Sequence, residues 1–195
     1  MLLENPSSYF QFSESSYSEP AFLNAVVAQT GCGLLLDVNN IFISCHNLNI
    51  SAEAYLNELN CAAVGEIHLS GHSTDLLEQS EDLLIDSHAA PAADPVWRLY
   101  ENILRLTGPQ ASLIEWDTNV PECSVLYGEV MQAACLLEQQ ICKWNSKYAR
   151  IIDTKRAFYS LFKPRSALPR AFKIRQPSVY SQGRSAVSCK RKLYS

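Results

Sequence analysis

Short apolar runs recur along the chain, and each one stops on a residue able to bind a cation. Leu2 and Leu3 lead into Glu4, Asn5 and Pro6, the pattern of a buried strand running into a turn. Gly33-Leu34-Leu35-Leu36-Asp37 is continuous enough for a parallel strand covered on both faces. Val64 to Leu69 and Ser112 to Trp116 predict two further strands.

Helical signals fall between these runs. Glu19-Pro20 opens a pattern through Phe22, Leu23, Val26 and Val27, with Pro20 suited to a first helical position and Gly31 to a C-terminal cap. After Asp37 the sequence reads as a polar loop, until Ser51 caps a helix carrying Ala54, Tyr55 and Leu59. A long loop from Ser70 to Ala93 precedes Asp94-Pro95, and the helix it starts runs through Val96, Tyr100, Ile103 and Leu104 to Gly108. A last helix, Ser124 to Lys147, places Leu126, Val130, Ala133, Ala134 and Leu137 on one stripe. Strand and helix alternate, so the fold class is α/β with a parallel sheet.

At 195 residues and 47% hydrophobic composition, the chain can bury one sizeable core. It is shorter than the roughly 250 residues of a complete (β/α)8 barrel. The cysteines have no paired spacing, and no N-terminal leader pattern or bilayer-length apolar run is present. The expectation is a cytoplasmic protein without a membrane span.

Charge changes the picture further. All 20 acidic residues lie at or before Asp153, with only 5 basic ones, whereas the remaining 11 basic residues follow it. The acidic part argues against nucleic-acid binding and suits a site that gathers carboxylates around cations. Two regions are therefore expected: an α/β domain over residues 1–150 and a basic tail over 151–195 without a fixed fold.

In a parallel barrel the strand ends converge on one face, so Glu4, Asp37, His68 and Glu115 would surround one spot. A lone carboxylate at a strand end usually caps a helix or forms a salt bridge. Clustered carboxylates repel one another unless a cation holds them, and that favours a metal. Asp86 and His88 form an Asp-x-His pair, a spacing that puts two side chains on the same side of an extended segment. Asn39 and Asn40 either ligate through oxygen or shape the loop, and His72 is either an outer partner of the site or a surface residue. Mixed imidazole and carboxylate donors suit iron, manganese or zinc.

The segments LLENPSSY, GCGLLLDVNN, EIHLSGH, LLIDSHAAPAADPVW and LIEWDTNVP resemble the multinuclear non-heme iron-dependent oxidase family, which includes MbnB-like enzymes of methanobactin biosynthesis. The resemblance covers approximately residues 1 to 140. It implies the C-terminal half of a TIM-type (β/α)8 barrel of the xylose isomerase-like superfamily, with four βα units and the ligands of the first half absent. It also implies two or three iron ions that use dioxygen to modify cysteines of a precursor peptide, presented by a partner protein. By motif match Glu4 would be a bridging ligand, Asp37, His68, Asp86, His88 and Glu115 would complete the set, and Asn40 stands near a ligand position.

Two other readings stay open: a divalent-metal hydrolase or isomerase of the same superfamily, and a non-catalytic metal-binding remnant. Four strands cannot close an eight-stranded barrel. Self-association through the open edges is therefore expected, with Leu3, Leu35, Ile67 and Leu113 or Ile114 facing inward toward water.

Overall fold

The computed structural model describes residues 1–75 and 82–161, the last fifteen of them in backbone only. The chain divides into two units, Met1–Trp144 and Asn145–Ser195. In the first, four parallel strands form one sheet: β1 (Leu2–Glu4), β2 (Gly33–Asp37), β3 (Val64–Leu69) and a strand at Ala111–Ile114. Two three-residue strands, β4 (Ser73–Asp75) and β5 (Leu83–Ile85), pair antiparallel inside the segment expected to be a plain loop. The fourth strand of the parallel sheet is thus β6, and the order is β1-β2-β3-β6.

Helix α1 (Glu19–Thr30) begins where expected: the Ser18 hydroxyl accepts the Ala21 amide at 3.2 Å, and Pro20 occupies the first turn. It ends on Gly31, whose φ of 71° is a left-handed conformation that glycine adopts without side-chain strain. The expected polar loop after Asp37 is instead a helix, α2 (Val38–Asn47). Its residues are mostly weak helix formers, but the Asp37 carboxylate accepts the Asn40 amide at 2.7 Å and so caps the first turn. Packing against β3 and α4 holds it in place. Helices α3 (Ala52–Glu58, capped by Ser51) and α4 (Asp94–Thr107) match their expected starts.

The last helix, α5 (Cys123–Leu161), runs eight residues past Asp153, into the segment expected to lack a fixed fold. Residues 162–195, the rest of that basic tail, lie outside the described residues. Among the described residues no helix is long and apolar enough to cross a membrane.

The sheet has two unlike faces. Register aligns Leu34, Leu36, Ile67 and Leu69 on one face, all at most 1% exposed and packed under the helices. Leu3 and Ile114 lie on this side too, partly buried against the same core. The opposite face carries Glu4, Leu35, Asp37, Glu66, His68 and Leu113. Leu113 is 47% exposed there, so among the described residues this face is covered less completely than the other. The expected inward set is corrected accordingly: Leu35 and Leu113 face the open side, whereas Leu3, Ile67 and Ile114 belong to the helix-packed core.

Candidate metal centre

Strand pleating puts Asp37 and His68 side by side on the open face, as direct partners in adjacent strands. Glu4 ends β1, and Glu115 follows β6, its amide donating to the Leu69 carbonyl at 2.8 Å. One donor atom from each of Glu4, Asp37, His68 and Glu115 lies within 4.8 Å of all the others.

The geometry of these donors is informative. His68 Nδ1 lies 2.8 Å from Glu115 Oε1 yet makes no hydrogen bond. His88 Nε2 lies 2.8 Å from Asp86 Oδ1, and it too makes none. Asp37 Oδ2, fully buried, is likewise unpartnered. Buried polar atoms without partners are costly. Donors bound to one cation at about 2.1 Å sit roughly 3 Å apart, with lone pairs aimed at the ion rather than at each other. The residues present therefore fit a metal.

Glu115 joins two groups of residues. Its Oε1 is the atom beside His68, while its Oε2 lies 3.4 Å from His88 Nδ1. Asp37 connects to both groups electrostatically. Burial pushes its carboxyl up to about 7, the Asn40 amide and His88 oppose that rise, and Asp86 and Glu115 add to it.

The loop bearing Asp86 and His88 does not work as an extended segment would. His88 has a φ of 45°, in the left-handed region, so a turn rather than strand alternation brings the two side chains together. Its carbonyl accepts the Asp117 amide at 2.9 Å, and Thr118 Oγ1 donates to the Ser87 carbonyl at 3.1 Å. Strained backbone of this kind persists only where surrounding contacts enforce it.

Asn40 donates its amide nitrogen to the Asn5 carbonyl at 3.0 Å, and its oxygen is buried without a partner, as Asp37 Oδ2 is. His72 is linked to Asp86 through Asn39, whose Oδ1 is 2.8 Å from His72 Nδ1 and whose Nδ2 donates to Asp86 at 3.4 Å. Burial lowers the His72 pKa, which favours the neutral ring.

Several residues of the site were not anticipated. Asn5 clamps the Asp37 backbone through both the nitrogen and the oxygen of its side-chain amide, Ser7 Oγ donates to Asp86, and the Asp86 amide donates to the Tyr9 hydroxyl. Asp117 Oδ2 stands 3.3 Å from His88 Nδ1, and Glu66 Oε1 3.6 Å from His68 Nε2. The one available signal was proximity in sequence: Asn5 follows Glu4, and Asp117 lies two residues beyond Glu115.

A parallel α/β sheet whose open face gathers imidazoles and carboxylates at its strand ends defines a candidate metal-dependent protein. A family model described as RiPP precursor modification enzyme MbnB/TglH/ChrH matches residues 1–138, and the chain belongs to that family. It is 48% identical over 139 residues to UPF0276 protein RB0508 of Rhizobium meliloti (strain 1021), covering 71% of this chain and 45% of that protein. It is 51% identical over 133 residues to a UPF0276 protein of Paraburkholderia phytofirmans, covering 68% of this chain and 43% of that one. A UPF0276 protein of Caulobacter vibrioides is 44% identical over 137 residues, 70% of this chain and 48% of its own. The chain thus spans a little under half the length of the curated relatives it matches.

Proposed function

We propose that this chain is the C-terminal half of a (β/α)8 barrel of xylose isomerase-like architecture, carrying part of a multinuclear iron centre. The reaction we assign to that centre is dioxygen-dependent modification of cysteines in a ribosomal precursor peptide, delivered by a partner protein. The observation that carries the metal reading is the pair of 2.8 Å approaches, His68 to Glu115 and His88 to Asp86, neither of which is a hydrogen bond. Family membership and the name of the matching family support the peptide substrate. A cytoplasmic setting agrees with the free thiols among the described residues.

Glu4, Asp37, His68 and Glu115 would hold one ion, and Asp86 and His88 would supply donors to a second. Bound iron would supply redox capacity toward dioxygen and a Lewis-acid centre. The chain's own residues fix the geometry. Asn5 holds the Asp37 backbone, the α2 cap orients one Asp37 oxygen and leaves the other free, and Asp117 faces Nδ1 of His88, which favours presentation of Nε2 beside Asp86.

Anaerobic loading of the full chain with ferrous iron, followed by elemental analysis, tests this reading. Iron should be retained by the wild type and lost from the His68→Ala and Glu115→Ala variants. Unchanged iron content in both variants would refute the assigned site.

A further inference from the structure

A cavity of about 570 Å3 opens on the other side of the segment that follows β1, away from the clustered carboxylates. Its apolar wall includes Phe10, Phe12, Tyr17 and Phe22, which are 55 to 68% exposed. Phe10 and Phe12 stack edge to face with centroids 5.2 Å apart. Glu19 and Glu58 supply carboxylates to the same lining. Glu19 accepts hydrogen bonds from Tyr55 at 2.6 Å and Ser8 at 3.1 Å, and Glu58 accepts one from Ser18 at 2.8 Å, so both are held in place. Among the described residues no lysine or arginine forms an ion pair with either.

We propose that this groove docks a basic peptide segment, seating an arginine or lysine beside aromatic or aliphatic side chains. Aromatic faces next to fixed carboxylates are the chemistry that recognises a guanidinium or ammonium: the rings attract the cation, and the carboxylate accepts its hydrogen bonds. Charge complementarity selects the occupant. Arg98, Arg105 and Lys143 are the only lysines and arginines of Met1–Trp144, and none lines the cavity. An acidic or neutral peptide would leave Glu19 and Glu58 uncompensated against it. Its volume lies within the range of ordinary ligand sites, roughly 300–1,000 Å3, large enough for a few side chains.

The groove is also joined to the candidate metal centre through one short stretch of chain. Asn5, Ser7 and Tyr9 bond to Asp37 or Asp86, whereas Ser8, Phe10 and Phe12 face the groove. A peptide seated there would lie against the back of the segment that braces both carboxylates. This inference rests on the reading that the substrate is a peptide, and it assigns the docking of that peptide, outside the cysteine to be modified, to the groove.

The test uses the full chain without metal and a fluorescein-labelled decapeptide bearing two arginines beside leucine and phenylalanine. Its control carries glutamate in place of both arginines. The arginine peptide should give a saturable rise in anisotropy that weakens as salt is raised, and the control none. Phe12→Ala and Glu58→Gln, both at exposed positions, should each weaken binding about tenfold. Equal binding of the two peptides, unchanged affinity in the Phe12→Ala/Glu58→Gln double variant, or free arginine competing as well as the peptide would overturn the proposal. Iron content is measured separately. A chain that loads iron but binds no peptide refutes the groove alone, and one that binds the peptide but never holds iron refutes the metal reading alone.

Discussion

His68 Nδ1 stands 2.8 Å from Glu115 Oε1 without a hydrogen bond between them, and the other oxygen of Glu115 turns toward His88. One carboxylate therefore touches both imidazoles of the site. Because Glu115 lies beside both groups of residues, its loss should disturb both positions, while His88→Ala should remove only the second. Iron per chain, measured in the wild type and the two variants, checks this: Glu115→Ala should fall to background and His88→Ala to about half. Equal loss in the two variants would rule out that shared role.

Asp37 links metal binding to pH. Burial raises its carboxyl to about 7, so below that pH the proton and the metal compete for the same oxygen. Iron affinity should fall by about tenfold per pH unit below about 6. Stability of the metal-free chain should show the opposite trend. A raised carboxyl pKa contributes stability that is fully present below the unfolded value, near 3.8, and is lost as pH rises through about 7. The loss is on the order of 4 kcal/mol. Asp37→Asn keeps a capping oxygen for α2 and removes the titration. In denaturant melts with chelator present, the wild type should be more stable at pH 5 than at pH 8, and the Asn variant should show less of that difference.

How far these features were legible in the sequence depends on the range of the interaction that makes them. Strands β1, β2, β3 and β6 were visible because each is an apolar run, and the four converging residues because each stands at a strand end. Helix α2 was not, because Asn39, Asn40 and Ser44 weaken its local signal and tertiary packing supplies the rest. The left-handed turn at His88 depends on hydrogen bonds from Asp117 and Thr118, about thirty residues away, and no local pattern encodes that. Which face of the sheet each apolar residue takes depends on the register between strands, which the local pattern around Leu3 and Ile67 does not carry.

Gly71 is a close-approach position at the exit of β3. A Cβ there would sit 2.0 Å from the Ala90 carbonyl oxygen and 2.5 Å from that of Pro91, both backbone atoms that cannot rotate away. Gly71→Ala should therefore displace the 90–91 stretch, two residues beyond His88, and destabilise the chain by about 3 kcal/mol. Chemical denaturation measures the cost, and an unchanged midpoint would contradict the contact.

The two faces of the sheet should respond unequally to truncation. Leu36 is fully buried under the helices, so Leu36→Ala should cost about 3 kcal/mol. Leu113, on the open face, is 47% exposed, and Leu113→Ala should cost under about 1 kcal/mol. Denaturant midpoints of the two variants decide it, because similar costs would mean the open face is covered in solution.

That open face also predicts how the chain behaves at high concentration. Among the described residues strands β1 and β6 bound the parallel sheet and pair with no further strand on their outer sides. Leu2 is 39% exposed and lies over Gly33 and Gly65, while Leu113 is 47% exposed on the same face, so apolar surface flanks both edges. Covering that surface gains roughly 25 cal/mol per Å2, and several side chains together outweigh part of the cost of association. Edge pairing and face burial therefore reinforce each other, and the chain should self-associate as its concentration rises. Light scattering across a concentration series would show growth in mean mass. Leu113→Lys should suppress that growth, because it sets a charge on a half-exposed position of the face. A mass that stays monomeric in the wild type, or growth unaffected by the lysine, would mean that the face and the edges are already satisfied within one chain.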